Sequence, residues 1–182
     1  MSNIFWWILL ICVLIFATYA AFVIKGEKKV ALKNAVSFPF HGFEIPIPPW
    51  WTLTNDNSEL KVFERTDTRY EWQSRFSFTD KNYPDLQSAF EELAINSELV
   101  FDKDTTIIHE PKSFEKLYEQ GIETLRVEGT ATKGHELRVY YDAALLKTEN
   151  GIVILESESS VLNGLLEGPF FEQSLHNIKK LR

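Results

Sequence analysis

Residues 122–159 carry the pattern that decides the fold, and they read IETLRVEGTATKGHELRVYYDAALLKTENGIVILESES. In the middle of this stretch, apolar residues occupy alternate positions and so share one face of a strand: Leu137, Val139, Tyr141, Ala143 and Leu145. Asn150-Gly151 after an apolar strand is a strong hairpin signal, because both residues tolerate positive φ. We therefore predict three consecutive antiparallel strands at Ile122–Glu128, Leu137–Leu146 and Ile152–Ser159.

The segment between the first two of these strands, Gly129–His135, has the glycine spacing of a phosphate-binding loop. It places His135 and Glu136 where such a loop requires Lys and Ser or Thr. It also joins two strands, whereas a phosphate-binding loop joins a strand to a helix. We interpret Gly129–His135 as a hairpin loop without nucleotide chemistry.

An earlier strand and the helix after it extend the pattern. Tyr70–Thr79 alternates, with Trp72 and Phe76 on one face and polar residues on the other. Pro84-Asp85 then opens a run of apolar residues at helical spacing, which predicts a helix over residues 84–100. We expect this helix to cover the apolar face of the strand.

Shorter signals complete the pattern. Gly42–Ile47 and Leu60–Arg65 are predicted as strands, and Pro46 indicates that the first is an edge strand or ends there, since proline donates no ladder hydrogen bond. A last helix is predicted to begin near Pro169. The expected fold class is α+β, with helices packed on an antiparallel sheet.

The N-terminal segment has a different composition. Residues 1–24 contain no charged residue and no histidine, and Ile4–Ile24 is an unbroken apolar run. A helix of this length reaches about 32 Å, enough to cross a hydrocarbon core of about 30 Å. We predict a transmembrane helix at residues 4–24 after a tail of residues 1–3, with Trp6 and Trp7 at the membrane interface. A cleaved signal peptide is the main alternative, although no basic residue precedes the run.

Lysines follow this run at once. Lys25, Lys28 and Lys29 are expected at the membrane interface and begin a basic tether over residues 25–37. By the positive-inside rule they place the soluble domain, residues 38–182, in the cytoplasm. The residues thus indicate the lipid bilayer as a partner.

Charge and cysteine count exclude several functions. The 182-residue chain has a net charge of −7, the wrong sign for neutralising phosphates, so we expect no nucleic-acid partner. Cys12 is the only cysteine and lies in the apolar run, so the soluble domain has no disulfide. The four histidines lie far apart, and no nucleophile, dinucleotide or zinc-protease motif is present. We predict a protein that is not an enzyme, with no catalytic residue, metal site or cofactor.

Two acidic groupings have the residue types that bind cations or transfer protons. Asp102-Lys103-Asp104 lacks the further oxygen ligands and the glycine of a calcium loop, so we interpret it as a solvated helix exit. Glu156 and Glu158 fit the outward face of a strand. Neither pattern selects a reaction.

Three stretches together resemble the PsbP/Mog1-like domains. GFEIPIPPW at residues 42–50 is similar to the start of that family, residues 121–159 to its three-strand meander, and PFFEQSL at residues 169–175 to its last helix. The resemblance implies an α/β/α sandwich with a central antiparallel sheet and a mostly non-catalytic role. It also implies a periplasmic or other extracytoplasmic location, against the lysine distribution. The paired Trp50-Trp51 departs from the single tryptophan of the family.

The segment Pro48-Pro49-Trp50-Trp51 is the candidate interface. Its simplest interpretation is a strand end with one tryptophan in the core, and the alternative is a rigid apolar edge that binds a partner. We predict a membrane-anchored protein-binding domain, an accessory subunit or assembly factor of a membrane protein complex or a partner of an envelope protein. The alternative function is a carrier of a small molecule or lipid, in a pocket between sheet and helix.

Overall fold

The computed structural model describes residues 2–65, 71–134 and 136–181. Tyr70 and His135, which the sequence places in a strand and a loop, lie outside these residues, as does the side chain of Lys28. The helices are α1 (Ser2–Lys33), α2 (Leu86–Asn96), α3 (Glu115–Tyr118, after a 3-10 turn at Pro111–Phe114) and α4 (Val161–His176). The strands are β1 (Val36–Phe40), β2 (Phe43–Ile47), β3 (Thr52–Asp56), β4 (Leu60–Glu64), β5 (Trp72–Thr79), β6 (Leu99–Phe101), β7 (Ile107–His109), β8 (Thr124–Lys133), β9 (Leu137–Lys147), β10 (Ile152–Ser160) and β11 (Lys179–Lys180).

A large antiparallel sheet forms the middle of the fold, with the strand order β3-β4-β5-β10-β9-β8-β6 and with β7 also paired to β8. The predicted meander is confirmed as β8, β9 and β10. The predicted loop at Gly129–His135 is wrong for its first five residues, because β8 continues to Lys133. Gly129 is needed there for close approach: a Cβ on it would lie 2.9 Å from the Cα of Thr106.

The two faces of the large sheet carry separate cores. On one face, Phe90 and the rest of α2 pack over Val127, Leu145 and Ile154. On the other face, Phe76 packs with residues of α4, α3 and the small sheet. The α+β fold is therefore confirmed, but α2 does not cover the apolar side of β5 as predicted. Helix α4 and the small sheet cover it instead.

Helix α4 begins at Val161, eight residues before the predicted start near Pro169, which lies inside the helix. The start was missed because the buried stripe of its first half is polar or small rather than apolar. That stripe consists of Asn163, Gly164, Glu167 and Gly168. A pattern search for apolar residues at helical spacing does not detect such a helix.

Strands β1, β2 and β11 form the small sheet, in the order β1-β2-β11. Strand β2 is therefore central, but β11 pairs only with Phe43 and Glu44. At Pro46 the one strand partner among the described residues is β1, so the missing N–H costs no ladder bond to β11.

Helix α1 continues to Lys33, so most of the predicted tether is helical. Its segment Ile4–Val23 is long and apolar enough to cross a membrane, and none of it is buried. A signal sequence near an N-terminus would have the same length and composition.

Candidate functional site

The segment Pro48–Trp51 forms a tight turn between β2 and β3, which we call the tryptophan corner. The backbone N–H of Trp51 donates to the carbonyl oxygen of Pro48 at 3.1 Å, which closes a β-turn with Pro49 as its second residue. Pro48 and Trp51 are buried, Trp50 is half-buried and Pro49 is exposed. The two tryptophans therefore have different surroundings.

Glu167 of α4 accepts hydrogen bonds from both tryptophans of this turn. The indole N–H groups of Trp50 and Trp51 both donate to Oε2 of Glu167, at 3.4 and 3.2 Å. Arg65, directly after β4, forms an ion pair with the other oxygen, Oε1. The Glu167 side chain is almost fully buried, and its three donors supply the partners that a buried carboxylate requires. One carboxylate thus joins α4, the tryptophan corner and the end of β4.

Trp51 belongs to the hydrophobic core. It is 5% exposed and its ring centroid lies 4.5 Å from that of Trp72. It also stacks on Phe171 of α4, with centroids 6.5 Å apart. Removal of this ring would leave a large cavity between the sheet and α4.

Trp50 stands at the surface. Its ring meets Phe170 edge to face, with centroids 5.0 Å apart, and the guanidinium of Arg65 lies 5.8 Å above it. Leu166 and Leu162 precede Phe170 by four and eight residues, on the same face of α4, and both are exposed. Sequence reasoning missed these leucines because the first half of α4 was not predicted.

A buried ionic network lies between the sheet and α4. Arg126 is 2% exposed and binds Asp142 through two hydrogen bonds, of 3.0 and 2.8 Å. It also donates to Glu128 at 2.9 Å, and Glu128 accepts a 2.8 Å bond from the hydroxyl of Tyr140. His109 Nε2 lies 2.9 Å from the other oxygen of Glu128. The network joins β7, β8 and β9 on the face of the sheet that α4 covers.

Burial raises the pKa of two groups in this network, Asp142 and Tyr140. It raises the pKa of Asp142 to about 6, although the hydrogen bonds and charge of Arg126 act in the opposite direction. Burial and the hydrogen bond to Glu128 raise the pKa of Tyr140. Burial acts to lower the pKa of Arg126, but Asp142, Glu128 and Glu172 together raise it above its ordinary value.

A second network lies on the α2 side of the sheet. Glu156 and Glu158 are 5% and 8% exposed, so their predicted place on a solvated strand face is wrong. Arg75 donates to them at 3.1 and 2.9 Å, and Lys133 donates to Glu158 at 2.6 Å. Tyr141 donates to Glu156, and burial raises the pKa of this phenol well above its ordinary value. Cross-strand partners make the burial of both glutamates possible.

The other acidic grouping is also structural. Asp102 follows β6 rather than a helix, so the predicted helix exit is wrong. It accepts hydrogen bonds from Arg138 and from Thr130, the latter at 2.6 Å. These donors hold the pKa of Asp102 at about 2. No group of three or more His, Cys, Asp or Glu within residues 2–65, 71–134 and 136–181 is placed to hold a metal ion.

A cleft of about 560 Å³ lies far from the tryptophan corner, where the β1–β2 and β9–β10 turns meet. His41 lines it in a left-handed conformation, with φ of 41°, and stacks on Phe78 at 4.0 Å. Lys147 and Lys180 also line the cleft. Acidic Glu123 and Glu149 line the cleft as well, so its charge does not favour one class of ligand.

The predicted membrane-interface residues lie on α1. Trp6 and Trp7 are exposed near its start, and Lys25 and Lys29 are exposed beyond the apolar span.

No protein-family model matches the sequence, and no curated protein matches it significantly. Several solved structures match this chain. Cyanobacterial PsbP from Synechocystis sp. PCC 6803 is 12% identical, with a TM-score of 0.52, over 76% of this chain and 86% of that chain. A Pseudomonas aeruginosa protein of unknown function is 8% identical over 79% of this chain and 95% of its own, and its TM-score of 0.43 is too low to carry an argument. The chain has a PsbP-like fold.

Proposed function

We propose that this chain is a membrane-anchored, non-catalytic protein-binding domain that serves as an accessory or regulatory subunit of a membrane protein complex. The observation that carries the proposal is the tryptophan corner, where half-buried Trp50 lies on a rigid turn and the guanidinium of Arg65, from the end of β4, lies over its ring.

The corner is organised before any partner arrives. Pro48 and Pro49 restrict the backbone, and the turn hydrogen bond and Glu167 hold Trp50 in place. Little conformational entropy is then lost on binding, which favours affinity. Tryptophan and arginine are also the residues most enriched at the energetic centres of protein interfaces.

The buried charges support a non-catalytic role. Arg126, Asp142 and Glu128 bind one another beneath α4, and Arg75 binds Glu156 and Glu158 on the other face. These charges are satisfied by one another within the fold, and of these six groups only Glu158 lines a cleft in the described part of the chain.

Helix α1 supports the anchor. The apolar segment Ile4–Val23 offers no face to the rest of the domain, which suits a helix surrounded by lipid. The lysines after it favour a cytoplasmic domain, whereas the PsbP-like fold favours an extracytoplasmic one.

The alternative function, a carrier with a pocket between sheet and helix, has less support. The space between α2 and the sheet is filled by side chains that are themselves buried, including Leu86, Phe90, Val127 and Leu145. A carrier would have to use an open surface cleft instead, such as the one beside His41.

Site-specific photo-crosslinking tests the binding proposal. A benzophenone amino acid replaces exposed Pro49 in the full-length protein in its native membrane, and a matched variant carries it at exposed Gln87 on α2. We expect a discrete crosslinked protein from position 49 that is absent from position 87. The same products from both positions, or none from position 49, would contradict the proposal.

A further inference from the structure

The first half of α4 has its polarity reversed. Its buried stripe is polar or glycine, with Asn163 and Glu167 each 3% exposed, while Leu162 and Leu166 are 77% and 57% exposed. A helix between a domain core and water carries its apolar residues on the buried side. Leucines four residues apart on the outer side therefore form an apolar face that we call the leucine face.

The fold explains the polar side of this helix but not the leucines. Glu167 is turned inward because the tryptophan corner and Arg65 bind it. Gly164 is required because the ring of Tyr140 lies directly against it. Among the described residues no side chain buries Leu162 or Leu166, whose exposure costs hydrophobic free energy in water.

Helix α1 supplies the location of this face. It contacts α4. None of the span Ile4–Val23 is buried, so we place the contact on the part of α1 that follows Val23. Ten further residues lead from there to Lys33, a distance of about 15 Å along a helix. Helix α4, which carries the leucine face, is thus held near the point where the apolar span ends.

The charge on α1 indicates the kind of membrane surface beside which α4 lies. Lys25, Lys29 and Lys33 are exposed and follow one another at four-residue intervals, on one face of α1. A row of lysines directly after an apolar span attracts anionic lipid headgroups.

We propose that the leucine face of α4 docks onto an anionic bilayer surface beside α1 and so sets the orientation of the domain on the membrane. The inference rests on the membrane anchor of the proposed function, but not on the tryptophan corner as the protein-binding site. At such a surface Leu162 and Leu166 bury their apolar area at the boundary between lipid headgroups and acyl chains, as interfacial helices do.

Fluorescence quenching in nanodiscs tests this inference. Full-length protein with Cys12→Ala carries an NBD label at Leu162→Cys, and a matched variant carries it at Ile95→Cys. Ile95 is 74% exposed and lies on α2, on the opposite face of the sheet. With doxyl-labelled lipid in discs that contain phosphatidylglycerol, we expect at least threefold stronger quenching at position 162. Exchange for neutral phosphatidylcholine should lower this ratio.

Three different outcomes would each contradict either the docking of the leucine face or the membrane anchor. Equal quenching at both positions in protein that co-elutes with the discs overturns the inference and leaves the anchor intact. Protein that does not enter the discs overturns the anchor, and the inference with it. A blue shift at position 162 without quenching, growing with protein concentration, assigns the leucine face to a second copy of the chain and overturns the bilayer assignment.

Discussion

The ring of Tyr140 on β9 occupies the space that a side chain at Gly164 of α4 would need. A Cβ on Gly164 would lie 2.5 Å from Cγ of Tyr140. The hydroxyl of the same tyrosine donates to Glu128 in the ionic network, so the ring is held at both ends. The close approach of α4 to the sheet therefore depends on a glycine facing this ring.

Gly164→Ala should destabilise the fold by about 1–3 kcal/mol, because the tyrosine ring cannot move away from the added methyl group. Gly168→Ala is the matched control. A Cβ there would lie 3.6 Å from Tyr140, an ordinary contact, and alanine favours the helix by up to about 1 kcal/mol. Chemical denaturation of both proteins in mild detergent measures the difference. Equal stability of the two variants would show that the ring does not fix α4.

Arg126→Leu should destabilise the protein by about 3–5 kcal/mol, since Asp142 stays fully buried and loses the charge and the two hydrogen bonds that compensate its burial. The double variant Arg126→Leu, Asp142→Leu removes both charges and should recover more than half of that loss. Thermal unfolding followed by near-ultraviolet circular dichroism compares the two. A double variant less stable than Arg126→Leu would show that the unpaired Asp142 is not the main cause of the lost stability.

Asp102 should make stability depend on pH in the acid range. Its pKa in the folded protein is about 2, below its ordinary value of 3.8, because Arg138 and Thr130 donate to it. A carboxyl with a depressed folded pKa contributes stability that is complete above about pH 4 and is lost as the pH falls through 2. Asp102→Asn should therefore lower the free energy of unfolding at pH 7, and the deficit should shrink as the pH falls from 4 to 2.

Asp104→Asn is the control for this measurement, because Asp104 is an exposed carboxyl two residues away. Its free energy of unfolding should follow that of the unmodified protein throughout. Urea denaturation at a series of pH values compares the three proteins. A deficit of Asp102→Asn that stays constant down to pH 2 would rule out the linkage to Arg138.

The sheet could be predicted because its strands obey simple rules. Strands β5, β9 and β10 alternate or form short apolar runs next to turn residues, and these signals depend only on neighbouring residues. The predicted first strand of the meander ends too early because Gly129 resembles a loop residue. In the structure a glycine is required there because the backbone at Thr106 lies against it. Helix α4 was cut short because Asn163 and Glu167 face inward for the sake of partners far along the chain.

The candidate site was predictable only in part, for the same reason. The pairing of prolines with Trp50 and Trp51 is visible in the sequence and marks a rigid aromatic edge. Glu167, which holds both indoles, lies 116 residues after Trp51, and no local pattern connects them. The buried networks were invisible too, because carboxylates on a strand indicate a solvated face unless their cross-strand partners are known.

Truncation of the two tryptophans tests the central claim, that the tryptophan corner binds a protein partner, most directly. Trp51→Ala should lower the stability of the fold by about 3–5 kcal/mol, since it removes a buried ring. Trp50→Ala should leave melting nearly unchanged, because Trp51 and Arg65 still bind Glu167, and should weaken partner binding about thirtyfold, or about 2 kcal/mol. Melting temperature and recovery of the protein crosslinked from position 49 are measured on the same preparations. Loss of partner from an intact Trp50→Ala protein is the predicted result, and a variant that keeps both fold and partner, or that merely melts early, would contradict the claim.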